Sequence, residues 1–207
     1  MIEKIYFEDQ IILIKPNKEV YYPMEDTFLL LKNLKNIKGK ILEIGTGSGA
    51  ISIYLAKKFP KLKLIFATDK NKIALKNCSH NARLNNVENQ IKFFYSDLFE
   101  RVPKQKFDFI IFNPPYLPTK KEEKLKNSLN LAFDGGEDGL RTIERFLKDA
   151  KKFLKKNGFI YLVVSDLADL LKLKRLIKKF GYCAKVIGEE RFFFERILLY
   201  KIKKNNS

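Results

Sequence analysis

The chain is poor in cysteine and histidine and has no long apolar stretch, and each scarcity removes a class of protein. Its two cysteines, Cys78 and Cys183, stand far apart without a CxxC spacing, so neither a disulfide framework nor a zinc site is indicated. No apolar run approaches the roughly 20 residues that span a bilayer. The start, Met1-Ile2-Glu3-Lys4, lacks the apolar core of a signal peptide. A soluble, reducing, cytoplasmic setting without membrane contact is therefore expected. The one histidine, His80, falls on a predicted helix and reads as a surface residue rather than a base. No internal repeat or low-complexity segment is apparent.

What is present points to a folded enzyme-sized unit. At 207 residues and 24.3 kDa, one domain is the default. Hydrophobic residues at 45% and charged at 31% exclude disordered and collagen-like classes. With 41 Lys+Arg against 24 Asp+Glu the formal charge is +17, a footprint that nucleic-acid binders share. Yet the excess is mostly lysine in doublets such as Lys57-Lys58, Lys151-Lys152 and Lys178-Lys179, which a solvated helix surface explains equally well. Charge alone does not choose between them.

Periodicity organises the chain. Ile5-Tyr6-Phe7 and Ile11-Ile12-Leu13-Ile14 predict a small hairpin turning at Asp9-Gln10, and Asp26 predicts an N-cap for a helix from Thr27 to Leu34. Strands are then expected at 41–44, 64–68, 91–95, 107–112 and 159–164, alternating with helices at 48–59, 72–84, from Leu140 to a stop at Asn157-Gly158, and 166–180. Two last strands, 182–188 and 192–203, are too close for a crossover and must pair antiparallel across Glu189-Glu190-Arg191. The fold class is α/β: a doubly wound, Rossmann-like, seven-stranded and mostly parallel sheet with a C-terminal antiparallel hairpin. Residues 1–36 form an N-terminal hairpin and helix, 37–203 the core, and 204–207 a tail, in one domain.

Four strand ends carry chemistry. The first core strand runs into Glu43-Ile44-Gly45-Thr46-Gly47-Ser48-Gly49-Ala50, where glycines let a ligand approach the backbone and a helix N-terminus offers N–H groups. Asp69 ends the next strand, 24 positions beyond Gly45, where a carboxylate can accept both hydroxyls of a ribose. The pattern also fits a dinucleotide site. Asp97 follows the third strand and can accept the exocyclic amine of an adenine or simply cap a helix. Asn113-Pro114-Pro115-Tyr116 follows the fourth. Its prolines remove two donors, so the Asn113 amide oxygen and Pro114 carbonyl can accept both hydrogens of a planar NH2 group while Tyr116 offers an aromatic face.

These motifs resemble the class I S-adenosylmethionine-dependent methyltransferases that act on planar amino groups, and most closely the HemK-like glutamine methyltransferases. Tyr21-Tyr22-Pro23-Met24-Glu25-Asp26-Thr27-Phe28-Leu29-Leu30 and Ala132-Phe133-Asp134-Gly135-Gly136-Glu137-Asp138-Gly139-Leu140 resemble that family's flanking motifs, and the likeness covers essentially the whole chain. The Tyr-x-Pro-x-Glu-Asp-Thr form resembles the archaeal and eukaryotic branch, which methylates the glutamine of the Gly-Gly-Gln motif in class-1 release factors. The resemblance implies S-adenosyl-L-methionine as cofactor. Thr27 would contact its methionine part, Glu43, Gly45 and Gly47 its methionyl and ribose region, Asp69 its ribose, Lys70 its adenine through the backbone, and Asp97 the adenine N6. Asn113, Pro114, Pro115 and Tyr116 would hold the substrate amide, and Asn113 would also contact the cofactor. Phe133 stands where the family often has leucine, a departure expected to alter packing only.

The resemblance also implies a partner. In such a sheet the strand Ile91-Lys92-Phe93-Phe94-Tyr95 lies at an edge, open to pairing by another chain, and related enzymes carry a small zinc-binding activator subunit. Adenine N6 methylation of DNA or RNA is the competing reading, because the same turn and the +17 charge permit it. No target-recognition segment or wedge for base flipping is recognisable, so nucleic acid is not favoured. A nicotinamide-dependent dehydrogenase is disfavoured, since hydride transfer has no use for a double amine-hydrogen acceptor.

Overall fold

A computed structural model describes residues 1–62, 64–119 and 133–205. Strands β1 (Glu3–Phe7) and β2 (Gln10–Ile14) form the expected hairpin, and α1 (Glu25–Asn33) follows. The core alternates β3 (Ile41–Ile44), α2 (Ala50–Lys58), β4 (Ile65–Asp69), α3 (Lys72–Leu84), β5 (Ile91–Tyr95) and β6 (Phe107–Phe112). It continues through α4 (Arg141–Phe153), β7 (Leu154–Ser165), α5 (Leu170–Lys179), β8 (Tyr182–Arg191) and β9 (Arg196–Lys204).

The seven core strands order as β5-β4-β3-β6-β7-β9-β8. The first five are parallel, and β9 runs antiparallel to both β7 and β8. This is the expected doubly wound sheet, with β5 at one edge as predicted. Because neighbouring residues of a strand face opposite sides, two cores form. Ile41, Ile65, Ala67, Ile111 and Val163 pack beneath α1, α2 and the N-terminal hairpin. Leu42, Phe66, Ile110, Leu162 and Val164 pack beneath α4 and α5. The hairpin is tied to α3 by asparagines: the backbone N–H groups of Leu13 and Lys15 donate to the side-chain oxygens of Asn85 and Asn81, each at 2.9 Å.

Several boundaries differ from those read off the sequence. Asp26 is not an N-cap. Met24 holds that position, and Asp26 lies buried in the first turn of α1. The α4 helix ends at Phe153 rather than at Asn157-Gly158, which sit inside β7. The β6 register there passes from Phe107↔Leu154 to Phe109↔Phe159, so Lys155–Gly158 bulge out of the ladder. The cap of α5 is Asp169, whose side chain accepts from the Lys172 N–H, because Asp166 is taken up by Arg196. Glu189-Glu190-Arg191 belongs to β8, and the hairpin instead turns at Phe192–Glu195. Strand pairing extends to Lys204, where a frayed tail was expected; Asn206 and Ser207 lie outside the described residues.

The aromatic layer under α4 positions the end of β6. Phe146 is fully buried and its ring lies 4.8 Å from that of Phe112 and 5.3 Å from that of Phe99. Phe112 immediately precedes Asn113. A Phe146→Ala variant should lose about 3–5 kcal/mol of stability, read as a lower urea midpoint at unchanged slope.

Candidate functional site

In a parallel sheet every strand ends on the same side, and where the winding direction reverses the flanking loops leave a crevice. Here that crevice is a cleft of about 1090 Å³, its mouth included, at the carboxyl ends of β3, β4, β5 and β6. Thr27, Gly45, Gly47, Asp69, Lys70, Asp97, Asn113, Pro114, Pro115 and Tyr116 all line it, so ten expected residues scattered across the sequence meet at one place.

The β3–α2 turn is built by backbone conformation. Gly45 and Gly47 take φ of +69° and +53°, a region costly for side chains with a Cβ. The Thr46 N–H donates to the Thr68 carbonyl at 2.9 Å, locking the turn to the end of β4. Asp69 receives the N–H of Gly47 at 2.9 Å and of Asn71 at 2.8 Å. Burial pushes its carboxyl above the usual range, and those two N–H groups oppose the shift. Asp97 sits on the rim and receives an Arg145 guanidinium N–H at 2.9 Å.

Glu43 departs from expectation. It is 1% exposed and lies beneath the cleft, not on its lining. One carboxylate oxygen accepts from Thr46 Oγ1 at 3.0 Å and from Ser52 Oγ, while Oε1 is buried without a partner among the described residues. Glu43 therefore braces the glycine turn from below. Burial pushes its carboxyl up to about 7 from an ordinary 4.5, against the pull of the Ser52 and Thr46 hydroxyls.

The Asn113 turn is held by a residue that sequence reasoning assigned to a cap. Asp26, 3% exposed, accepts through Oδ1 from the Tyr21 hydroxyl at 2.8 Å and the Thr27 N–H at 2.6 Å. Its Oδ2 accepts from Asn113 Nδ2 at 2.9 Å and the Tyr116 hydroxyl at 3.2 Å. With Asp26 Oδ2 accepting from its nitrogen, the Asn113 amide stands with nitrogen toward α1 and oxygen the other way. That Asn113 Oδ1 is buried and unpartnered among the described residues. Burial, with the Asp26 charge beside each, pushes the Tyr21 and Tyr116 phenols well above their usual range. Both stay protonated donors. The only sequence signal for this role was the placement of Asp26 next to Thr27.

The second flanking motif is a scaffold for that turn. Leu117 pairs with Asp134 in a parallel bridge, and the Gly135 N–H donates to the Leu117 carbonyl at 2.9 Å. Gly139 passes so close that a Cβ would lie 2.4 Å from the Tyr116 carbonyl. Arg141 closes the loop through a 2.9 Å pair with Asp134. Phe133 lines the cleft and meets the Tyr21 ring edge-to-face at 5.6 Å, so its place is in the wall as well as in packing; Ala132 lies outside the described residues. His80 is half-buried on α3 and does not line the cleft. Cys78 is buried, and that burial pushes its thiol up out of the reactive range.

Comparison with known proteins decides the family. The family described as the methyltransferase small domain matches residues 25–195. The chain belongs to the methyltransferase small domain family. A relative in Methanocaldococcus jannaschii, provisionally named a protein N5-glutamine methyltransferase, is 44% identical over 189 residues, 91% of this chain and 93% of that protein. A release factor glutamine methyltransferase of Thermodesulfovibrio yellowstonii is 34% identical over 178 residues, 80% of this chain and 62% of its own length. The fold superposes, with a TM-score of 0.68 at 23% identity, on the E. cuniculi Mtq2–Trm112 complex responsible for methylating the eRF1 translation termination factor, covering 90% of this chain and 99% of that one.

The raised carboxyl under this methyltransferase's glycine turn has a pH signature. Between about 4.5 and 7 the folded state keeps the Glu43 proton while the unfolded state releases it, so stability falls as pH rises through that window. The loss is on the order of 3 kcal/mol and is complete above pH 7. Glu43→Gln should remove that component, so urea unfolding at pH 4.5 and pH 8 should differ less in the variant than in the parent.

Proposed function

We propose that this protein transfers a methyl group from S-adenosyl-L-methionine to the side-chain amide nitrogen of the glutamine in the Gly-Gly-Gln motif of a class-1 release factor. One observation carries the reading: Asp26 takes the nitrogen side of the Asn113 amide, which leaves the oxygen of this cleft-lining residue buried and unpartnered among the described residues. A buried acceptor without a partner is costly, and the hydrogens of a planar amide would satisfy it. The names of the relatives in Methanocaldococcus and Thermodesulfovibrio support glutamine as the owner of that amide.

The cleft's donor set fits the cofactor. Asp69 is suited to the ribose hydroxyls, Gly45 and Gly47 to close backbone approach, and Thr27 to the methionyl end, with Lys70 and Asp97 beside the adenine. When bound, the cofactor supplies a methyl already activated by a cationic sulfur. Asn113 Oδ1 and the Pro114 carbonyl accept both amide hydrogens, which aims the nitrogen lone pair along the transfer line. Such orientation is worth roughly 7–11 kcal/mol. Both acceptors interact more strongly as positive charge develops on nitrogen, so they favour the transition state. Pro115 fixes the turn and the Tyr116 ring packs against the amide plane. Residues 1–36 and 37–203 act as one catalytic unit, because Asp26 and Thr27 come from the first part. A small zinc-binding activator subunit pairing with edge strand β5, Ile91–Tyr95, is part of this proposal and is supported by the Mtq2–Trm112 likeness.

A labelled-methyl assay should offer release factor, a release factor whose Gly-Gly-Gln glutamine is alanine, and adenine-containing DNA and RNA side by side. Label is expected on the first alone; label on nucleic acid alone would sink the glutamine reading in favour of adenine N6. Asn113→Ala should slow turnover by about 2.7–4 kcal/mol in barrier with cofactor binding largely intact. Asp26→Ala should also slow turnover, by about 1.5–3 kcal/mol, because the Asn113 amide is then free to rotate; single-turnover rates and cofactor titration separate the two effects.

A further inference from the structure

The most exposed apolar residues of the sheet's hairpin have no structural use. At its tip Phe193 and Phe194 are 93% and 84% exposed, Phe192 is 39% exposed, and the Phe193 and Phe194 rings touch each other edge-to-face at 4.7 Å. Leu167, next to the Asp166 that bonds Arg196, is 50% exposed as well. Apolar groups left in water on a rigid support mark an interaction surface.

The support is rigid. The Phe192 N–H donates to the Glu195 carbonyl at 2.8 Å, and Ser165 Oγ donates to Glu195 Oε2 at 2.8 Å. Asp166 and Arg196 exchange backbone and side-chain hydrogen bonds at 2.7–2.8 Å. These bonds clamp the tip to the carboxyl end of β7.

That end of β7 is also the reacting side. Phe112 of β6 pairs with Leu162 and Ser165 with Ile197 of β9, so the tip projects beyond the level of Asn113 on the same side of the sheet. Asn33 and Leu29 of α1, the helix that carries Asp26 and Thr27, close on Gly188 of β8. The tip therefore stands at the same end of the sheet as the cleft, toward the edge opposite β5.

Charge selects the occupant. On a chain of +17, Glu189–Arg196 carries three carboxylates and two guanidiniums, and both guanidiniums are paired, Arg191 with Glu189 and Arg196 with Asp166. A nucleic-acid backbone needs unpaired cations beside stacking rings, and this tip does not offer them. A polypeptide loop with apolar side chains and basic flanks complements both the rings and the net charge of −1 that three carboxylates and two guanidiniums leave on the segment.

We propose that Phe192–Phe194 form a docking platform that grips the protein substrate beside its reactive glutamine, resting on the function proposed above. The platform would recognise the folded substrate and leave the chemical step alone.

The test compares the protein with a Phe193→Ser/Phe194→Ser variant, each with its activator subunit if one co-purifies, on intact release factor and on a short Gly-Gly-Gln peptide. The variant should raise KM for the intact factor by about tenfold or more, keep its kcat within twofold, and leave the peptide's kinetics unchanged. An unchanged KM for the intact factor overturns the platform while leaving the glutamine reading standing. Equal losses on factor and peptide overturn it as well, and so does a variant that changes only oligonucleotide binding or only self-association in sedimentation. If the unaltered protein transfers no methyl to glutamine in either substrate, the parent reading fails and the platform falls with it. Matching thermal transitions of the two proteins establish that the substitutions act at the surface.

Discussion

A single buried carboxylate ties the molecule's two halves together. Asp26 is almost without solvent, and a polar group there is tolerable only when its oxygens are partnered. Two tyrosine hydroxyls, a backbone N–H and the Asn113 amide occupy them. Its partners come from the segment before α1, from α1 itself and from the loop after β6, nearly ninety residues further along the chain. Because a carboxylate accepts and does not donate, satisfying it also fixes which way Asn113 faces. Stability and orientation here have one cause.

The parallel sheet makes that junction possible. Parallel strands deliver their carboxyl ends to one side, so the glycine turn after β3, the acid ending β4, the rim residue after β5 and the proline turn after β6 converge without further design. Glu43 and Gly139 then hold two of those turns in place, one by bracing hydroxyls from below and the other by allowing close backbone approach. The two ends of the sheet differ: β5 forms one edge, whereas the β8–β9 hairpin at the other carries exposed rings at its tip.

Much of this was legible in the sequence. The period shifts between 2 and 3.6 located every core strand and helix, because burial imposes those periods wherever one face meets a core. The glycine turn, Asp69 and Asn113–Tyr116 were readable because their chemistry depends on local backbone form. Two misplaced boundaries share a cause, a competing long-range partner. Asp166 reads as a helix start, but Arg196 claims it. Asn157-Gly158 reads as a helix stop, but the β6 register absorbs it as a bulge. Glu43 reads as a lining residue, yet the hydroxyls of Thr46 and Ser52 draw it beneath the turn.

By itself, the sequence determined the alternating architecture, the strand-end motifs and the chemistry that those motifs can support, since local propensity and hydrophobic period are properties of neighbours along the chain. Only the tertiary structure decided that Asp26 is an orienting acceptor instead of a cap, that the Asn113 oxygen is left without a partner among the described residues, and that three phenylalanines stand exposed at the hairpin tip. Those outcomes depend on which distant groups compete for the same lone pair or the same apolar surface, and that competition exists only once the chain has folded.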